Sequence, residues 1–352
     1  MNTTYIVSIN AWTRSGRKES GEQSEKILKK LLDFHNDGNP DVLPDTRSFS
    51  HIIDFYSKSC DPGDAERAEW LLMGMIEMFK NGYNDVVPNI FCFSSVISCY
   101  ASSKMINAGI KAEQILHHLE DLHNNHQIVE LTPNTFIMNA VLNAWSKSQN
   151  ELASERTEEI LLHMEKQYES GDYHMKPNTR SYGLVLATWA KSSLPDKSER
   201  AHKILRLMSE KSESNKNVSV NAQCYNAVIK SAAFTEGSPD ERMNAFNVAT
   251  VAIEELIDSN IKPASSSFGT YLKACGKLSL PRNVVDPQIE KIFTECKELG
   301  LVNSFVLRQI SYSASPQQYQ DLVGKFLPRE NTFGKWVGID EIPSSWRRNS
   351  VS

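Results

Sequence analysis

The stretch Pro177-Asn178-Thr179-Arg180-Ser181-Tyr182, continuing through Leu184, Val185, Leu186 and Trp189 to Glu199-Arg200-Ala201, Ile204, Leu205 and Met208, decides the fold because it recurs along nearly the whole chain. With Tyr182 as a register mark, the equivalent residues are Tyr5, Phe49, Phe93, Met138, Tyr225 and Phe268, and successive marks lie 44, 44, 45, 44, 43 and 43 residues apart. A fixed period of this size is the signature of a repeat architecture. From each mark, large apolar residues follow at three, four and seven positions: Phe49, Ile52, Ile53, Tyr56; Phe93, Val96, Ile97, Tyr100; Met138, Val141, Leu142, Trp145; Tyr182, Val185, Leu186, Trp189. That spacing is one face of an amphipathic helix.

A second helical pattern follows in each unit. It opens on a small residue and again places apolar residues at three, four and seven: Ser24, Ile27, Leu28, Leu31; Ala68, Leu71, Leu72, Met75; Ala112, Ile115, Leu116, Leu119; Thr157, Ile160, Leu161, Met164; Ala201, Ile204, Leu205, Met208. The small residue allows two helices to approach closely, and Glu66-Arg67, Glu155-Arg156 and Glu199-Arg200 in front of it read as a polar turn. Pro44-Asp45, Pro88-Asn89, Pro133-Asn134 and Pro177-Asn178 precede the first helix of a unit, where Asp or Asn caps free N–H groups and Pro stops the preceding segment. One helical pair cannot bury its apolar face alone; a stack of seven gives a continuous core and one concave side.

Nothing interrupts the repeat between Tyr5 and about Asn303, so the 352 residues read as one elongated all-α array and not as two or three globular domains. No glycine-rich phosphate loop breaks the register. The formal net charge of −5 counts against nucleic acid as a partner, although a basic stripe on one side is compatible with an acidic total. Cys60, Cys92, Cys99, Cys224, Cys275 and Cys296 have no paired metal spacing and read as buried free thiols. There is no run long enough for a membrane span, no signal peptide and no Arg-rich transit segment. Met1 falls between repeats and leaves the first helix without a polar cap, which reads as a truncated chain or a misplaced start.

Between units the connections 82–87, 124–131, 170–176 and 212–218 are polar or glycine-bearing and read as freely variable loops, with 209–217 the most flexible. The shorter turns within units are placed at 61–67, 151–155 and 196–200. After Phe268 the pattern weakens: Cys275 stands where Trp or Tyr would, and Pro281 and Pro287 flank a turn. Residues 304–327 are expected to form capping helices, with Pro316 near a first turn. The tail 328–352, with Trp336, Trp346, Arg347 and Arg348, reads as a partly ordered extension folding back on the last helices.

A first helix that begins after Pro-Asp or Pro-Asn with Thr-x-x-aromatic, then a second helix of the form Glu199-x-Ala201-x-x-x-Leu205-x-x-Met208, resembles the pentatricopeptide repeat family. The resemblance covers about residues 1–303, divided as 2–45, 46–89, 90–134, 135–178, 179–221, 222–264 and 265–303, and has most in common with long-repeat algal and protist variants. Family units are shorter than these, and a period in the low forties is also that of HEAT and armadillo arrays, which lack the Pro-Asn-Thr junction. The implied fold is an all-α solenoid of about seven helix-turn-helix repeats in a right-handed superhelix with a C-terminal helical cap.

The resemblance implies recognition of single-stranded RNA, one base per unit. The reading residues it implies are the one after the mark and the one after the closing Pro: Ile6 with Asp45, Ser50 with Asn89, Ser94 with Asn134, Asn139 with Asn178, Gly183 with Asn221, Asn226 with Ala264, and Gly269 with Asn303. The Ser–Asn pairs imply adenine and Asn139 with Asn178 a pyrimidine; the Ile, Gly and Ala members fit poorly. Independently of RNA, the Asn residues are good caps and Ser50 and Ser94 read as ordinary exposed positions. Two residues before the mark stand Arg47, Phe91, Phe136 and Arg180, which offer stacking surfaces for bases; burial between units is the expectation for Phe91 and Phe136, and solvated surface charge for the arginines.

Catalysis has little support. Asp321, Asp340 and Glu341 form no nuclease-like cluster, and His117, His118, His123 and His126 lack a Cys or carboxylate frame for a metal, so they read as a solvated helix face. The reading is therefore a non-enzymatic, cofactor-free RNA-binding adaptor for an organellar transcript, mitochondrial or plastid by resemblance, acting in RNA processing, stability or translation. A protein-binding scaffold of the same shape is the alternative.

Overall fold

The computed structural model describes residues 2–39, 43–59, 61, 63–326 and 337–350. Cys60, Pro62 and Trp336 lie outside these residues. The chain divides into two compact units, Met1–Pro177 and Asn178–Ser352. In the first, helical pairs follow one another as α1 (Asn2–Ser15) and α2 (Ser20–Asn36), α3 (Thr46–Lys58) and α4 (Asp64–Lys80), α5 (Ile90–Ser103) and α6 (Ala108–His126), α7 (Thr135–Lys147) and α8 (Ala153–Glu169). In the second they are α9 (Thr179–Trp189) and α10 (Lys197–Ser214), α11 (Ala222–Ala233) and α12 (Pro239–Asp258), α13 (Ser265–Lys277) and α14 (Arg282–Glu298), followed by α15 (Ser304–Ser313), α16 (Pro316–Val323) and α17 (Ser344–Arg347). No strand occurs among the described residues.

Within each unit the first helices of successive pairs lie side by side, α1 to α7 and α9 to α15, and the second helices pack against their own first helix and the next one. The register marks Phe49, Phe93, Met138, Tyr182 and Phe268 are buried with their partners at +3, +4 and +7. The close approach is made one turn before the small residues singled out in the sequence. A Cβ on Gly109 would stand 2.1 Å from the Trp145 ring, and one on Gly21 2.6 Å from Tyr56. The same slot holds Ala65, Ser154 and Ser198, all buried.

The second helices start before the Glu-Arg pairs, at Asp64, Ala153 and Lys197, so those pairs lie in the first turn of helix and not in an intra-unit turn. Each has a use there. Glu113 of α6 accepts from Trp145 Nε1 (2.7 Å) of the next first helix and from Arg156 Nε (2.7 Å) of the next second helix. Tyr56 donates to Glu25 and accepts from Arg67, while Tyr100 and Lys111 both bond Glu69. An aromatic at +7, a carboxylate from the unit before and a cation from its own second helix thus recur as a bridge between neighbouring pairs.

The connections are tied down as well. Thr46 Oγ1 donates to the Val87 carbonyl (3.0 Å), Thr135 Oγ1 to Lys176 (2.6 Å) and Thr179 Oγ1 to Asn217 (3.2 Å), so each unit's closing segment is fastened to the start of its own first helix. Two expected loops shrink. Helix α6 runs through 124–126 to His126 and α10 to Ser214, and Asn215 closes α10 by accepting from the Asn217 N–H (3.0 Å) while itself buried. The stretch 209–217 is therefore mostly helix. In the second unit a basic side chain from each second helix caps the C-terminal carbonyls of the following first helix: Lys197 to Phe234 (2.7 Å), Arg242 to Leu278 (3.4 Å) and Arg282 to Ser313 (2.5 Å). That placement complements the helix dipole.

Pro287 stands inside α14 and does not flank a turn; it forfeits one ladder hydrogen bond in the second turn of that helix. After Pro316, which opens α16 behind the cap Ser315, residues 337–350 return to the array. Trp346 meets Phe293 and Phe326 edge-on, its carbonyl accepts from Val302 N–H (2.8 Å), and Asn349 N–H donates to Gly300 (2.9 Å).

Candidate nucleic-acid interface

Helices α3, α5, α7, α9 and α11 each begin on an Asp or Asn cap. Asp45 accepts from Ser48 N–H, Asn89 from Cys92, Asn134 from Phe136 and Ile137, Asn178 from Arg180 and Ser181, and Asn221 from Gln223 and Cys224. These bonds fix the amide plane of every closing Asn at the same end of its helix. Ala264 offers no such group to α13.

Position +1 does not point freely to solvent. Ser50 is half-buried, donates to the Thr46 carbonyl (2.7 Å) and lies 3.1 Å from Cys92 Sγ, whose own N–H is bonded to Asn89. Ser50 and Asn89 are thereby brought together across two first helices. Ser94 (5 % exposed) and Asn139 (6 %) are buried, against the expectation of ordinary exposed positions for the serines, because this register faces the neighbouring first helix. Ser94 donates to Phe91 (2.9 Å). Asn226 Nδ2 donates to Ser266 Oγ (3.2 Å), so +1 of one pair meets −2 of the next. Gly183 leaves open space where a side chain would stand, whereas Ile6 is half-buried and Gly269 buried.

Position −2 is the solvent-facing one. Arg47 and Arg180 are exposed, and so are Phe91 (47 %) and Phe136 (61 %), which overturns the expected burial of the two rings. The cause is the parallel packing of first helices: the mark and −1 turn inward, and −2 is left outside. Gln223 and Ser266 continue the exposed register in the second unit.

Two features of this layer went unread in the sequence. The first is position +9, at the other end of each first helix. Arg14, Lys58 and Lys147 are exposed there in the first unit, as are Lys191 and Lys277 in the second, with Ser102 and Phe234 the exceptions. The second is the sign of the first helices: α1, α3, α5 and α7 carry four Lys or Arg and a single carboxylate, Asp54, itself 2.5 Å from Lys58, while α9, α11, α13 and α15 carry five and none. The acidic total resides on the second helices and connections. Comparing charge at one register across units, in place of the total, would have found it.

Local electrostatics agree. A cleft of about 750 Å³ between the ends of α1 and α3 is lined by Arg14, Arg17, Lys18, His51 and Lys58 together with the carboxylates Asp54 and Asp61. Burial, and after it the nearby Arg14 charge, hold His51 below its ordinary pKa. Burial pushes the Cys99 and Cys275 thiols up to about 12, which keeps both protonated at neutral pH. The histidines of α6 turn to separate partners, His117 to Glu120 and His123 to the Ile128 carbonyl, and no group of His, Cys, Asp or Glu that could hold a metal occurs among the described residues. No helix among them is long and apolar enough to cross a membrane.

Helical pairs whose first helices lie side by side within each unit define an α-solenoid repeat protein. The fold is that of the pentatricopeptide repeat proteins. It aligns with the crystal structure of the pentatricopeptide repeat protein PPR10 from maize at a TM-score of 0.54 and 19 % identity, over 90 % of this chain and 37 % of that one. A structure of PPR10 in complex with an 18-nucleotide psaJ RNA element aligns at a TM-score of 0.40 and 15 % identity, over 92 % of this chain and 44 % of that one. The chain thus spans less than half the length of the solved structures it matches. No protein-family model matches the sequence, and no curated relative matches it.

Proposed function

We propose that this chain binds single-stranded RNA along the exposed face of its first helices, as a non-catalytic adaptor serving an organellar transcript in its processing, stability or translation. The observation that carries the proposal is the segregation of charge: in a protein of net charge −5, the first-helix layer holds one carboxylate against nine cations. A solvated face with no bias would show no such split. The aromatic and guanidinium surfaces at −2 and the cations at +9 supply the two parts a single strand needs, stacking planes for bases and charge for phosphates. The capped Asn residues and the +1 side chains lie at the same end as the stacking planes, where base edges would be offered.

A cation in the last turn of a helix also offsets the helix dipole without any ligand. Binding of the folded chain to a randomised pool of single-stranded RNA at two salt concentrations separates the two roles. Retention that weakens as salt rises supports the proposal. No retention at low salt sinks it and leaves the same surface as a scaffold for protein partners.

A further inference from the structure

The reading row has an end built into it. In two pairs a +1 side chain lies against the −1 or −2 residue of the next first helix: Ser50 against Cys92 and Asn226 against Ser266. Beyond the seventh mark, Phe268, the +1 residue is Gly269, and the next first helix is α15, capped by Asn303, which places Phe305 at −2. A Cβ on Gly269 would lie 2.2 Å from Phe305 Cε1 and 2.3 Å from Cδ1. The ring edge rests on the glycine backbone. Gly183, the other glycine in this register, has nothing within 4 Å of the same point.

Phe305 is 38 % exposed, so one side of the ring seals position 269 and the other faces solvent. The aromatic plane that at Phe91 and Phe136 stands out from the layer is here laid down over the reading position. A pocket wall that would meet a base edge is replaced by a hydrocarbon surface, and no donor or acceptor of residue 269 can be reached past it.

Resting on the RNA reading above, we propose that Phe305 occupies the seventh base position as an intramolecular plug, so that recognition ends at Asn226 and the strand leaves the array there. Gly269 is then a requirement of the plug and not a degenerate reading residue. Beyond α15 the returning segment leaves a cleft of about 380 Å³, lined by Val337, Gly338 and Ile339 on one side and Leu307 and Arg308 on the other, and Val337 N–H donates to Tyr319 (3.3 Å).

The test uses the full chain and Phe305→Ala, with an RNA selected by the full chain from a randomised pool and carrying 2-aminopurine at successive positions. In the unaltered protein the base next beyond the one facing Asn226 keeps the fluorescence of free RNA. In Phe305→Ala it stacks on the base facing Asn226 and is quenched, protection lengthens by one nucleotide, and affinity rises. Equal quenching in both proteins, or loss of binding in Phe305→Ala alone, overturns the plug and leaves the RNA reading standing; failure of the unaltered protein to retain RNA overturns both. A second measurement is independent of RNA. Gly269→Ser lowers Tm in the unaltered background and costs nothing in Phe305→Ala, while Gly183→Ser is neutral in both; a Gly269→Ser as harmless as Gly183→Ser shows that the ring does not hold the position.

Discussion

At the scale of single residues, exposure separates ligand surface from core. Phe136 is 61 % exposed on a first helix and Trp70 69 % exposed on a second helix, so both are large apolar groups whose removal leaves the core intact. Phe136→Ala is expected to weaken RNA binding about tenfold or more, the worth of one base stack, with Tm unchanged. Trp70→Ala should leave affinity where it was, and equal losses from the two, read by fluorescence anisotropy, would remove the first-helix face from the argument. His51 gives a pH prediction with a definite sign. Its folded pKa lies below the ordinary histidine value of 6.5, so the unfolded chain takes up the proton first and stability falls as pH drops through and below that value. Urea unfolding at about pH 7 and about pH 5 should show a loss that His51→Gln reduces; an identical loss in the variant would mean that other groups carry it.

At the scale of elements, the joints between pairs depend on side chains that reach across units. Trp145 is 4 % exposed, and its indole N–H has Glu113 as acceptor. Glu113→Ala strands that donor and is expected to cost about 1–3 kcal/mol, whereas Glu113→Gln keeps an acceptor and should cost less; denaturant midpoints that rank the two the other way would contradict the bridge. Asn134→Ala removes a cap accepting from two N–H groups and should cost about 1 kcal/mol. The helices themselves were legible in the sequence, because burial repeats at +3, +4 and +7 and the caps announce each start. The bridges were not. Tyr56 and Glu25 are 31 residues apart and Thr46 and Val87 are 41 apart, so neither contact leaves a local pattern. The sequence reading took Glu-Arg for turn polarity and Thr for a helix opening because only the cross-unit view shows their partners. Phe91 and Phe136 were misplaced for a related reason: an aromatic beside a helix mark is buried by default, and the parallel first helices withdraw that default at −2.

At the scale of the whole molecule, the proposal rests on the distribution of charge and not on its total. If the cations at +9 contact phosphates, replacing Lys58, Lys147 and Lys277 by Gln should make the salt dependence of RNA affinity shallower by about 2 in log–log slope, since each lost contact on a single strand removes about 0.7. An unchanged slope would assign those lysines to helix-dipole compensation alone. The Thr fastenings and the aromatic–carboxylate–cation bridges share one further property: none reaches past the adjacent repeat. Excision of residues 90–134 would join Asn89 to Thr135, restoring Pro-Asn-Thr, and would present Glu69 with Trp145 and Arg156 in place of Tyr100 and Lys111. The bonding vocabulary at these three bridged joints is thus interchangeable between copies, and this stretch of the array is editable by whole modules, so that its length can change by duplication or loss without inventing a new joint.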